Sequence, residues 1–119
     1  MAQVLLVHEP TGRVYRLLDG RRPRARARGL LGLRSISPDG GAYLEPCSSI
    51  HMFGMRFAID VVWLDRSGLA LRIDEDVRPG GSIRACRGAH AAVELASGAA
   101  ERDGLHERDH FVMRLPPHP

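Results

Sequence analysis

The sequence predicts an α+β fold: one β-rich domain with a barrel-like, mostly antiparallel sheet and one or two short helices. Three observations carry this expectation. Short apolar runs recur along the whole chain. Clusters of Gly, Pro, Asp and Ser end almost every run, which is the punctuation of turns between strands. A length of 119 residues suits one core and is too short for two.

The elements follow in order. Residues 4–7 are apolar and end at Pro10 and Gly12, and residues 13–18 form a second run closed by Asp19-Gly20. Two runs around a Pro-Thr-Gly turn predict a hairpin. Residues 21–33 carry Pro23 where a first helical turn would begin, with Ala25, Gly29 and Leu33 four apart on one face. A short helix ending near Leu33 is expected there. Residues 43–50 read as extended, and Gly54 breaks the period that follows.

Residues 57–65 are the clearest strand, apolar almost throughout and so expected to be covered on both faces. Arg66-Ser67-Gly68 turns the chain, and residues 69–73 run back as a second hairpin. Residues 90–95 form a further apolar run, and residues 110–115 a last strand before a Pro-rich tail at 116–119.

Composition narrows the classes of function. Hydrophobic residues at 44% argue against disorder, and aromatics at 5% leave the core to aliphatic side chains. The net charge of +3 comes from 17 basic residues that are all arginine, with no lysine and no asparagine. That bias reads as genome composition, so nucleic acid is not an expected partner. No apolar run approaches the ~18 residues of a membrane span. The apolar start lacks a basic leader and is closed by Glu9, so it reads as a strand and not as a signal peptide. A cytoplasmic protein is expected, with Cys47 and Cys86 as thiols.

Four segments resemble a known family. Arg26-Ala27-Arg28-Gly29-Leu30-Leu31-Gly32-Leu33 looks like a helix of arginine, a small residue and Gly-Leu-Met. Residues 50–65 are similar to a signature in which an aromatic-Met-Lys-Asn-Thr stretch leads into Pro-Leu-Asp and an apolar strand. Residues 68–73 match its hairpin return. Ala92-Val93-Glu94-Leu95-Ala96-Ser97-Gly98 resembles Val-Leu-Glu-Leu-Pro-Ala-Gly, with Gly104 and Asp109 following. The family is domain-of-unknown-function family 192, of small bacterial and archaeal proteins. The resemblance implies a single domain over 1–119 with a family-like core at about 24–112, and it brings no activity with it. In the second segment this chain departs toward Ser-Ile-His-x-Phe-Gly-Met-Arg-Phe, the mark of a divergent branch.

Several constellations bear chemistry. The loop at 51–57 packs His51, Met52, Phe53, Gly54, Met55 and Arg56 against Phe57. An imidazole, two thioethers, aromatic rings, a flexible glycine and a guanidinium suit an apolar pocket with a few placed polar groups. The plain alternative is a hydrophobic plug at one end of a barrel. Asp60 and Glu94 each sit inside an apolar run, where a carboxylate needs partners. Either is a ligand contact or a structural group, and if they converge they form an acid/base pair.

Cys47-Ser48-Ser49-Ile50-His51 and Cys86-Arg87-Gly88-Ala89-His90 share the pattern Cys-x-x-x-His. Two thiolates and two imidazoles make a tetrahedral zinc set in principle. The alternative is two buried cysteines and two unrelated histidines. Cys47 with His51 or His90 would also make a nucleophile and base. The basic stretch at 21–28 reads as a solvated helix face.

The sequence therefore favours a non-catalytic module that binds a small polar ligand or a protein partner through residues 51–57, with no cofactor. A small hydrolase or transferase using the Cys-His or paired-carboxylate groups is the second reading. A zinc-stabilised fold is the third.

Overall fold

The computed structural model describes residues 2–117. β1 (Gln3–His8) and β2 (Arg13–Gly20) form the first hairpin, with Leu6 opposite Tyr15. Val4, Leu6 and His8 alternate inward along β1, as do Tyr15 and Leu17 along β2, the two-residue period of a half-covered strand. α1 (Pro23–Arg28) follows, then β3 (Gly41–Leu44), β4 (Ser49–His51), β5 (Ile59–Leu64) and β6 (Ala70–Val77). β7 (Ile83–Ala85), β8 (Ala91–Ala96), α2 (Ala99–Asp103) and β9 (Phe111–Arg114) complete the chain.

Seven strands make one sheet in the order β6-β5-β8-β3-β2-β1-β9. Every neighbouring pair is antiparallel except β2 and β3. A parallel pair needs a long crossover, and residues 21–40, with α1 among them, supply it. The sheet curls until its two edge strands meet at one end, where Leu69 bridges His110. β4 and β7 pair separately as a small second sheet. The fold is thus a β-rich single domain with a curled half-barrel and two short helices among its described residues. The α+β expectation fits only loosely, because helices of six and five residues border the sheet and form no layer of their own.

α1 stops at Arg28, short of the expected Leu33. Gly29 takes φ +48° and its amide closes on the Ala25 carbonyl, after which Leu30 turns inward to 1% exposure. Residues 43–50 are two strands and a corner, not one extended run. β5 is buried on both faces, as its composition predicts.

Each face of the sheet has its own core. Inside the curl lie Val4, Leu6, Tyr15, Leu17, Val62, Leu64, Val93, Leu95 and Phe111. On the outer face α1, its following loop and the β4–β7 pair cover Ala42, Leu44, Val61, Trp63 and Ala92, with Leu30, Ile50 and Met52. β3 lies against β8 so closely that a Cβ on Gly41 (φ +151°) would collide with the Glu94 carbonyl.

Candidate functional site

The two buried carboxylates end on opposite faces of the sheet. Asp60 pairs with Leu95 while Val61 pairs with Glu94, and side chains alternate along both strands. Asp60 therefore points with Val62 and Leu64 into the curl, and Glu94 points with Ala92 to the outer face. They do not converge, so the acid/base pair that convergence would have made is not formed.

Asp60 is fully buried and engaged by main chain. Its Oδ1 accepts from the Asp76 amide at 2.9 Å, and its Oδ2 from Gly98 at 3.1 Å and Ala100 at 2.9 Å. Two of these amides open α2 and the third belongs to a residue at φ +51°. Asp60 thus ties a helix start and a left-handed kink to β5. The partners this buried carboxylate needs are therefore backbone amides.

Glu94 faces a cavity of about 330 Å³ between α1 and the segment leading into β4. Arg26, Arg28, Leu30, Leu31, Leu44, Pro46, Cys47, Ser48, Ser49, Ile50, His51 and Met55 are among the residues that line it. The Glu94 residue is 5% exposed, and its carboxyl has no hydrogen-bond partner among the described residues. Burial alone pushes its pKa up to about 7. The helix ends directly above it, since a Cβ on Gly29 would lie 3.5 Å from Oε1. Arg26 is held across the rim by hydrogen bonds from Nη1 to the Glu45 carbonyl at 2.9 Å and the Arg21 carbonyl at 3.2 Å.

The loop at 51–57 is divided by this geometry. His51 and Met55 line the cavity. Met52 is fully buried in the outer core, and Phe53 is 74% exposed. Gly54 (φ +84°) backs onto Leu31 at the lip, and Arg56 is exposed outside the lining. α1 buries none of its residues, in keeping with a solvated face, and Arg26 and Arg28 also border the cavity at its rim. The sequence carried a signal for this in Gly29 and Gly32, which stop the helix and let Leu30 and Leu31 drop beside it.

The two Cys-x-x-x-His segments do meet, but through main chain. The Cys47 amide donates to the His90 carbonyl at 2.9 Å, and the Cys86 amide to the Ser48 carbonyl at 2.9 Å. Cys86 is buried in the outer core, while Cys47 donates its thiol to the Ser49 carbonyl at 3.2 Å. His90 Nε2 sits 3.6 Å from Glu45 Oε1 over a separate shallow depression. Among the described residues no three His, Cys, Asp or Glu side chains gather to hold a metal ion, which corrects the zinc set. Burial, with a contribution from Glu94, raises the Cys47 thiol above its ordinary value, the reverse of what a nucleophile needs. Both cysteines are free.

Fold and site together define a small half-barrel domain with a lateral cavity onto which the Glu94 carboxyl opens. The sequence profile of the family described as "Uncharacterized ACR" matches residues 9–113. The chain belongs to that family, domain-of-unknown-function family 192. Two crystal structures share the fold, each with a TM-score of 0.81. One is described as a "putative transcription regulator" from Sinorhizobium meliloti, 22% identical, with 94% of this chain and 92% of that one covered. The other is a protein of unknown function from Novosphingobium aromaticivorans, 19% identical, with 92% and 83% covered. At these identities the likeness concerns the fold alone. No curated protein matches the chain. No helix among the described residues is long and apolar enough to cross a membrane.

Proposed function

We propose that this protein is a non-catalytic module that binds a small polar ligand in the cavity between α1 and β4. The observation that carries the reading is Glu94, a buried carboxyl aimed into a cavity with no partner of its own. Burying such a group costs free energy unless something hydrogen-bonds to it. A ligand that supplies the missing donor recovers that cost on binding. The volume of about 330 Å³ lies in the range of small-molecule sites, and the lining mixes polar groups with the apolar side chains of Leu30, Leu44, Ile50 and Met55. His51 and Met55 contribute from the 51–57 loop, and α1 contributes the opposite wall. Against a catalytic role stand the raised Cys47 thiol and the separation of Asp60 from Glu94 by the thickness of the sheet. We take the protein to act in the cytoplasm, where Cys47 and Cys86 stay reduced.

Amide spectra of the reduced protein, titrated with a panel of small amines, acids, alcohols, sugars and nucleotides, test the reading. Shifts confined to residues 29–31 and 47–51 are expected with at least one class. Ser48→Phe, which fills the cavity from an exposed position, should abolish them. Shifts elsewhere, or shifts unchanged in the filled variant, would overturn the reading.

A further inference from the structure

We propose that the ligand is a small organic ammonium: a primary amine on an apolar body, with its nitrogen on the Glu94 carboxylate and its carbon skeleton against Leu30, Leu44, Ile50 and Met55. This rests on the binding reading above and adds the chemistry of what is bound.

The argument starts from what faces Glu94. From α1 come Arg26 and Arg28, and from the segment into β4 come Cys47 and His51. Its neighbours across the sheet on β3 and β5 are Ala42 and Val61, which carry no charge. Arg26 already spends Nη1 on two carbonyls, and Arg28 stands exposed. Neither guanidinium contributes to the Glu94 ionisation, which burial alone shifts. The arginines thus sit at the rim and the carboxyl stands alone at the floor.

An ionised carboxylate only accepts hydrogen bonds. The complement of a buried, unpaired acceptor is a charged donor, since charge-assisted bonds are about twice as strong as neutral ones. A carboxylate ligand at the floor would set two like charges together, and an alcohol would supply one neutral donor. An ammonium supplies three donors and the opposite charge. Among the lining residues, Leu30, Leu44, Ile50 and Met55 give a hydrocarbon body its contacts. Where the amine also carries a carboxylate, the rim arginines and His51 are placed to receive it, so free amines and apolar amino acids share the head group the floor selects.

Binding also moves a proton. With its pKa near 7 in the empty protein, Glu94 is partly protonated at neutral pH, and pairing with an ammonium ionises it. Calorimetry in two buffers of different ionisation enthalpy should therefore show proton release.

The test uses four probes of like shape at pH 7: isoamylamine, isoamyl alcohol, 4-methylpentanoate and leucine. Isoamylamine should bind the intact protein about tenfold or more tighter than the alcohol or the acid. Leucine ahead of isoamylamine would assign the rim to a carboxylate, and the reverse order would assign the site to simple amines. Either order supports the ammonium. Glu94→Gln, which keeps the shape and removes a buried charge, should fold and lose that preference together with the proton release. The ammonium is refuted if alcohol or acid binds as tightly as the amine, or if Glu94→Gln retains amine affinity. It is also refuted if other members of the wider panel shift the lining amides while the amines do not. In those three cases the cavity reading survives. If nothing in the panel moves residues 29–31 or 47–51, the binding reading itself falls.

Discussion

Replacing Glu94 by Gln should make the protein more stable, and only above a defined pH. The carboxyl is 5% exposed and has no partner, and burial lifts its pKa to about 7 from an ordinary 4.5. Between those values the folded chain holds a proton that the unfolded chain has released. Stability contributed by the neutral group is complete below pH 4.5, declines as pH rises, and is gone above about 7. A shift of that size corresponds to about 3 kcal/mol. The neutral amide has no such titration, so the variant's advantage should open over the same window and level off near pH 8. It would be a large gain against a total of about 5–15 kcal/mol for a domain of this kind. Urea unfolding of both proteins at half-unit steps from pH 4 to 8.5 measures it as a difference, which cancels every other titrating group. Parallel curves for the two proteins would refute the reasoning, because they would mean that Glu94 ionises in the fold as easily as in water.

Three further outcomes are expected. Asp60→Ala takes the acceptor from three amides, of which that of Ala100 is buried, and at about 1–3 kcal/mol for a buried unmet group it should cost at least that much, read as a fall in the urea midpoint; a loss under about 1 kcal/mol would show that water serves those amides equally well. Gly41→Ala drives a Cβ into the Glu94 carbonyl at φ +151° and should cost about 3 kcal/mol or more, measured in the same way. Arg102 and the Tyr15 hydroxyl, which donates at 2.7 Å, hold the Asp103 pKa down to about 2. Its stabilising effect is present above the ordinary 3.8 and lost as pH falls toward 2. Tyr15→Phe should raise that pKa, which a carboxyl-carbon NMR titration reads directly.

The strands were legible as short apolar runs ended by turn residues, whereas the inward alternation of Val4, Leu6 and His8 was not, because Leu5 and Val7 between them are just as apolar. The hairpins β1–β2 and β5–β6 were legible from their turns. The parallel partnership of β2 with β3 was not, because local pattern says nothing about which distant strand a crossover returns to. The site was half visible. Asp60 and Glu94 look alike in sequence, each a carboxylate flanked by apolar residues. Only the register, with Val61 opposite Glu94, sends one to main-chain amides and the other to a cavity. His51 and Met55 were found by composition. Arg26 and Arg28 were passed over because a short run of arginine and alanine reads as solvent-facing until the helix is seen to end over Glu94.

The pairing of β1 with β9 has a consequence for how the chain is made. β1 emerges from the ribosome early and β9 after nearly all the rest has followed, so one edge of β1 must stay open through most of translation. The Leu69–His110 bridge waits for the same late segment. Each step in between exposes strand edges that invite pairing with another nascent copy. The half-barrel is therefore a fold in which β9 decides whether β1 was safe, and truncation just before residue 111 should yield aggregate and not a smaller soluble domain.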